Sequence, residues 1–378
     1  MNRALASLLL WCGSAPAQST PAATGLQLNK QAAEHHRQGR YTDAEALFRA
    51  ALSLMEREYG AGHPNVAATL NNLAEMHRLQ RQYAKAEPLL RRALAIWEKA
   101  LAPGHPDLAV CMGNLAALYE DQRRSLDAER LYQRALSVHE KALGPDHPDV
   151  AGSLNNLALF YSRQGKDSRA EPLLRRALAI QEAAPGTEHL DLASTLNNLA
   201  GIYYRRGNYG KAESLIRRAA RVFEQNLGPE HPDVAVVLNN LAAVAARSDK
   251  PEEAEELYLR AIAIRERALG QKHPLVSMSW NNLAELYRIR KQYTRAEELY
   301  LRAIAVQEKF LGPRHPDVGV TLANYALLLR QMGKMEEARR HAALARSIRS
   351  DHARDNLAGA TINLSEFRAA GSNPARKK

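Results

Sequence analysis

The sequence predicts an all-α solenoid of helix pairs, and three observations predict it. The chain repeats itself: His-Pro recurs at His63, His105, His147, His231, His273 and His315 in steps of 42 residues or a multiple of it, with His189-Leu190 in the one gap. Two further rows keep the same step, Asn72, Asn114, Asn156, Asn198, Asn240, Asn282 and Asn324, and Ala86, Ala128, Ala170, Ala212, Ala254, Ala296 and Ala338. The apolar content suits helices, since hydrophobic residues make up 46% and aromatic residues only 6%, leaving Leu, Ala, Ile and Val to pack. A fixed period between 20 and 50 residues marks a stacked array. Length alone, 378 residues, would suggest two or three domains, but an array grows by addition and needs no single large core.

Taken in order, residues 1–17 read as a secretory signal peptide. Arg3 supplies positive charge, Ala4 to Cys12 a short apolar run, and Ala15-Pro16-Ala17 a small-x-small cleavage site. The apolar run is about half the ~20 residues that span a bilayer, so no membrane span is expected. Export to the periplasm or outside follows, with a cytoplasmic protein as the alternative. Residues 18–24 read as a linker. The array is expected over 25–350, in units of about 25–60, 61–102, 103–144, 145–186, 187–228, 229–270, 271–312 and 313–350. The first hairpin is atypical and the last helix gains Arg, as terminal repeats facing water should. Residues 351–378 read as a basic, largely disordered tail.

Within one unit, 145–186, Pro148 opens a helix and surrenders an N–H that would have no partner there. Asp149 places negative charge at the positive end of the helix dipole. Val150, Leu154, Leu157, Ala158 and Tyr161 form one apolar stripe. Gly165 closes the helix, as Gly39, Gly207 and Gly333 do in other units. Ala170, Leu173, Leu174, Ala177, Leu178 and Ile180 give the second helix its stripe, and the alanines mark where two helices cross. Leu143-Gly144-Pro145, Leu227-Gly228-Pro229 and Leu311-Gly312-Pro313 end their units.

This unit pattern, L-N-N-L-A-x-L-Y through A-E-x-L-x-x-R-A-L to L-G-P-x-H-P-D-V-A, resembles the 42-residue tetratricopeptide repeat of kinesin light chains and their bacterial relatives, over about residues 25–350. The resemblance implies a right-handed superhelix whose concave face, made of first helices, binds peptides or partner proteins. It also implies that the Asn matching Asn114, Asn156, Asn198 and Asn240 holds peptide main chain. The stretch from Gln18 to Leu26 is not expected to form the heptad coiled coil that joins a motor chain, and no fused effector segment is expected.

The residues themselves argue against chemistry at a single point. GxSxG, HExxH, P-loop and GxGxxG motifs are absent, and each recurring His, Glu or Arg recurs in nearly every unit, whereas an active site is singular. No enzyme activity and no cofactor are expected. Equivalent histidines sit a helix spacing of ~8–10 Å apart, too far to share one metal at ~2 Å. A capping role at the Pro-initiated turn is expected instead, and the pair His35-His36 is expected in solvent. Two cysteines, Cys12 and Cys111, make neither a disulfide framework nor a zinc site.

The expected peptide-binding residues are the carboxamides Asn72, Asn114, Asn155, Asn156, Asn197, Asn198, Asn239, Asn240, Asn281, Asn282 and Asn324. Beside them stands a basic wall of Arg163, Arg205 and Arg247, with Arg78, Arg288 and Arg330 one residue earlier in other units. The floor is Ala117, Leu159, Gly201 and Ala243. Such a groove suits an acidic peptide with an apolar anchor. The alternative use of the amides is to bond neighbouring helices, and the alternative whole-protein reading is an assembly component that self-associates into a homo-oligomer through its ends and convex face. A second Arg row, Arg92, Arg134, Arg176, Arg218, Arg260 and Arg302, is expected on a solvated face, supported by Glu171–Arg175, Glu213–Arg217, Glu256–Arg260 and Glu298–Arg302 at helical spacing. That row accounts for much of the net charge of +11 without nucleic acid, and no aromatic residues interleave it for base stacking.

Overall fold

Six of the first helices are opened by a histidine and a proline, and in each of these the imidazole is the N-cap. Nδ1 of His63, His105, His147, His231, His273 and His315 accepts the backbone N–H two residues on, at 3.2–3.3 Å, while proline at the first helical position has no N–H to satisfy. In the computed structural model, which describes residues 21–37, 40–102, 104–184 and 190–355, these caps start helices of near-constant length. The helices are α1 (Pro21–Arg37), α2 (Tyr41–Tyr59), α3 (Pro64–Leu79), α4 (Tyr83–Ala100), α5 (Pro106–Asp121), α6 (Ser125–Leu143), α7 (Pro148–Arg163), α8 (Asp167–Ala183), α9 (Leu190–Arg205), α10 (Tyr209–Leu227), α11 (Pro232–Arg247), α12 (Pro251–Leu269), α13 (Pro274–Ile289), α14 (Tyr293–Leu311), α15 (Pro316–Gln331) and α16 (Met335–Asp355). There is no strand among the described residues. The chain is an all-α solenoid of eight helix pairs.

Residues 1–17, His189 and Gly39 lie outside the described residues. α1 begins at Pro21, inside the stretch expected as linker, and the boundary expected at 350 falls within α16. That helix runs five residues further, because Ala345 and Ile348 still bury against its partner.

The described helices fall into two units, divided between Gln181 and Glu182. In the first, Val150, Ala151 and Leu154 of α7 meet Ala177 and Ile180 of α8, with Leu136 of α6 packed against them. In the second, Val276, Leu283 and Ala284 of α13 and Ala296, Tyr300 and Ala303 of α14 are almost fully buried. Ala86, Ala128, Ala170, Ala212, Ala254 and Ala296 are each 0% exposed, as expected for a crossing where only a methyl fits. Ala170→Leu should therefore overpack α7 against α8 and cost ~1–3 kcal/mol in a urea unfolding experiment. A neutral result would mean the crossing is loose.

First helices close on a left-handed residue. Gly165 holds φ +71°, but Arg81, Arg123, Asp249 and Lys291 occupy the same place in other repeats with φ near +60°. Those four turns thus run without the glycine that would adopt the conformation free of strain.

Successive pairs are joined through a polar register. The second-helix residue at this register meets a hydroxyl on the next first helix: Thr69 Oγ1 donates to Met55 Sδ (3.2 Å), His139 Nδ1 lies 2.8 Å from Ser153 Oγ, and Arg265 Nη1 donates to Ser279 Oγ (2.7 Å). Arg265 is 1% exposed, its Nη1 also donates to Leu275 O (2.9 Å), and no carboxylate among the described residues pairs with it.

Candidate functional site

Within each unit, first helices of neighbouring repeats lie side by side, and two rows of polar contacts cross between them at a sequence separation of 43. The first row is amide to amide. Asn114 Nδ2 donates to Asn71 Oδ1 (2.9 Å), Asn240 Nδ2 to Asn197 Oδ1 (2.8 Å) and Asn324 Nδ2 to Asn281 Oδ1 (3.1 Å). The sequence placed these carboxamides on one face, and the structure brings them together there. It also uses three rungs to tie the array to itself. Each bonded carboxamide keeps a second N–H and a second lone pair, so the face is stitched without being saturated.

The row is not uniform. Asn72, Asn155, Asn156, Asn197 and Asn198 are half-buried, whereas Asn114, Asn239, Asn240, Asn281, Asn282 and Asn324 are buried. Opposite Asn156 the register holds Gly113, which has no side chain to bond. Asn282 accepts from its own neighbour Asn281 (3.4 Å). Asn239 is 1% exposed, and among the described residues neither its Nδ2 nor its Oδ1 has a partner; Asn240 Oδ1 lacks one too. A buried amide left open is costly, ~1–3 kcal/mol per group, and these amides of α11 lie beneath the surface.

The second row corrects the expected basic wall. Arg78 donates to both oxygens of Glu75 at 2.7 Å and to Asp121 of the next first helix at 2.6 Å. Arg163 reaches back to Glu120 at 2.5 and 2.6 Å, and Arg288 is forked onto Glu285 at 2.8 and 2.9 Å while reaching Gln331 at 2.7 Å. Burial works against the Arg78 charge, but Glu75 and then Asp121 outweigh it and hold its proton affinity well above the ordinary guanidinium value. Arg163 is raised in the same way, against burial, by Glu120. These three cations are ion-pair partners of the array. Helical spacing could have shown Glu75–Arg78 and Glu285–Arg288, three residues apart, but not Asp121, Glu120 or Gln331, which lie one repeat away. Arg205 is half-buried and engaged. Arg247 and Arg330 are exposed and enter no ion pair with a described residue.

The expected floor is also mostly sealed: Ala117 is 7% and Ala243 1% exposed, Gly201 is buried, and only Leu159 is half-open. The apolar surface lies instead on Ile289, 48% exposed, and Leu327, 36% exposed. Val236, Met278 and Val320 are half-buried at one shared register. Sequence reasoning missed these because it followed the middle repeats. The signal was present, since Ile289 stands at the register where α7, α9 and α11 carry Arg163, Arg205 and Arg247.

Elsewhere charge is paired across repeats. Arg92–Glu56 (2.7 Å), Arg134–Glu98 (3.1 Å), Arg176–Glu140 (2.5 Å) and Arg260–Glu224 (2.7 Å) link successive second helices, as does Arg218–Glu182. Glu171–Arg175 and Glu213–Arg217 form as the spacing predicts. Glu256–Arg260 and Glu298–Arg302 do not, because Arg260 takes Glu224 and Arg302 lies over the Trp280 ring at 4.3 Å. His35 and His36 are half-buried rather than solvated. No group of three or more His, Cys, Asp or Glu placed to hold a metal occurs among the described residues. No described helix is long and apolar enough to cross a membrane.

The tetratricopeptide repeat profile matches residues 26–99, 65–141, 107–183, 191–267 and 275–351. The chain belongs to the tetratricopeptide repeat family. Solved structures with a similar tetratricopeptide array include a Podosopora anserina kinesin light chain protein of nearly identical TPR-like repeats, 27% identical over 54% of this chain and 97% of that one, with a TM-score of 0.48. The apo quorum sensor NprR of B. thuringiensis aligns over 86% of this chain and 88% of its own at 16% identity and a TM-score of 0.63. A Rap protein complexed with Competence and Sporulation Factor aligns over 89% of this chain and all of its own at 15% identity and a TM-score of 0.57. At these identities the likeness to NprR and Rap is one of fold. No curated protein matches the chain.

Proposed function

We propose that this tetratricopeptide array is a non-enzymatic interaction scaffold, and that the first-helix face of its second unit holds an extended, acidic segment of a partner protein around an apolar anchor. One observation carries the reading. Arg247 and Arg330, which enter no ion pair with a described residue, stand on α11 and α15 to either side of exposed Ile289 on α13. In the first unit the corresponding arginines, Arg78 and Arg163, are occupied by carboxylates. Two helix spacings of ~8–10 Å match about five or six residues of extended chain at ~3.3 Å each. Main-chain bonds to the amides would supply affinity, and the two cations with Ile289 and Leu327 between them would supply preference.

The test is fluorescence anisotropy with two labelled peptides, one bearing Asp and Glu around a central Leu and one with Lys and Arg in their place. Micromolar binding of the acidic peptide alone is expected. Equal binding of both would refute the role given to charge. A single-stranded oligonucleotide bound more tightly, with affinity falling steeply in salt, would favour nucleic acid.

A second reading rests on Leu259 and Leu301, each 48% exposed at a second-helix register where Arg49, Arg91, Arg175 and Arg217 stand elsewhere. A homo-oligomer through that face is its prediction, and a monomeric mass in solution excludes it. Export is proposed on the leader-like residues 1–17, and N-terminal sequencing of the mature chain tests it.

A further inference from the structure

Every described His cap works only while its Nδ1 is unprotonated, because that nitrogen accepts the helix N–H. In four turns an aspartate stands two residues on, with Oδ2 3.7 Å from Nδ1 at His105, 3.6 Å at His147, 3.8 Å at His231 and 3.7 Å at His315. A proton arriving at those rings finds a carboxylate. At α3 the aspartate is replaced by Asn65, and His63 stacks on Tyr59 with 4.5 Å between ring centroids. At α13 it is replaced by Leu275, and there the surroundings are cationic.

Buried Arg265 of α12 donates to the carbonyl of Leu275, the same residue whose N–H is held by His273, and its Nη2 has no partner among the described residues. The other charged groups of the elements around the cap are Glu266 and Arg267 at the end of α12, Lys272 in the turn, Arg302 of α14 and Glu230. Arg267 is held by Glu230 at 2.5 Å, and Arg302 lies over Trp280. Among the described residues no carboxylate bonds His273 or Arg265. Protonating His273 would remove the N-cap of α13 and set an imidazolium beside Arg265, at the positive end of the helix dipole.

We propose that the α12–α13 junction is an acid-sensitive joint in the array, opened by a proton on His273 and held apart from the other repeats by Leu275 and Arg265. Burial first, and Arg265 second, hold the proton affinity of His273 below its ordinary value. The sign follows. An unfolded imidazole titrates near ~6.5 and the folded one lower, so the joint is at full strength above that value. It weakens as pH falls through the ordinary value toward the depressed one, by up to about tenfold per pH unit.

Hydrogen exchange on the full chain at pH 7.5 and 5.5, corrected for intrinsic rates, reads the joint directly. Protection of the α13 N-terminal half should fall up to about tenfold on acidification, and that of α11, whose cap His231 is backed by Asp233, less than twofold. His273→Asn keeps a cap acceptor that does not titrate, and Leu275→Asp supplies the missing carboxylate. Each should abolish the selective loss at α13. An equal loss at α11 and α13 in the parent chain, or a loss at α13 that persists in both variants, would overturn the proposal. Should His273→Asn fail to fold, Leu275→Asp alone decides it.

Discussion

Arg78→Ala should destabilise the first unit by ~3–5 kcal/mol, because it uncovers a charge inside the protein. The guanidinium is 8% exposed and holds Glu75, itself 3% exposed, through two bonds of 2.7 Å, with Asp121 at 2.6 Å. Removing it leaves a buried carboxylate without its counter-charge, and the desolvation of that carboxylate, already incurred on folding, is no longer offset. The pair as such need not be stabilising. Arg78→Met with Glu75→Leu, similar in volume and uncharged, should recover most of the loss, because two apolar side chains require no compensation. Urea unfolding of the parent, single and double variants measures both. A single variant within ~1 kcal/mol of the parent would mean water reaches Glu75.

Arg247→Glu combined with Arg330→Glu should reduce the affinity for the acidic peptide at least about 100-fold while leaving the melting temperature nearly unchanged. Each cation is exposed and enters no ion pair with a described residue, so its replacement breaks nothing in the fold, and surface changes of that kind stay within ~0.5 kcal/mol. A charge-assisted hydrogen bond contributes ~1.5–3 kcal/mol. Losing two therefore removes ~3 kcal/mol or more, and ~1.4 kcal/mol is a factor of ten. The matched control is Arg163→Glu, whose parent residue faces Glu120 at 2.5 Å. It should destabilise the first unit by like-charge repulsion and leave peptide affinity alone. If Arg163→Glu instead weakened the peptide as strongly as the double variant, the groove would lie in the other unit.

Legibility differed between registers for a physical reason. A position that must be small, apolar or helix-initiating repeats in every unit, because every unit meets the same neighbour. Ala86 to Ala296, the His-Pro caps and the Asn row could all be read this way. A side chain's partner in the next repeat is 36 or 43 residues away, and periodicity cannot say which of several carboxylates it takes. Arg260 illustrates this: Glu256 stands at ideal helical spacing, yet Glu224 on the preceding second helix holds the guanidinium at 2.7 Å. Arg78 and Arg163, expected to face a guest, are held by Asp121 and Glu120 one repeat away for the same reason, while Glu75, three residues before Arg78, is a partner that helical spacing could have shown. Departures from the repeat carried information that a consensus reading discards: Gly113 in the amide row, Leu275 in place of aspartate, and Ile289 in place of arginine.

The sequence by itself determined that this chain is built of repeated helix pairs, that a His-Pro cap opens six of the first helices, and which face carries the carboxamides. Those features follow from local geometry and from a hydrophobic period that no distant contact alters. Only the tertiary structure decided which polar groups remain open for a partner. That depends on whether the neighbouring repeat already supplies the opposite charge or the complementary amide, and a buried polar group takes whichever partner lies within about 3 Å.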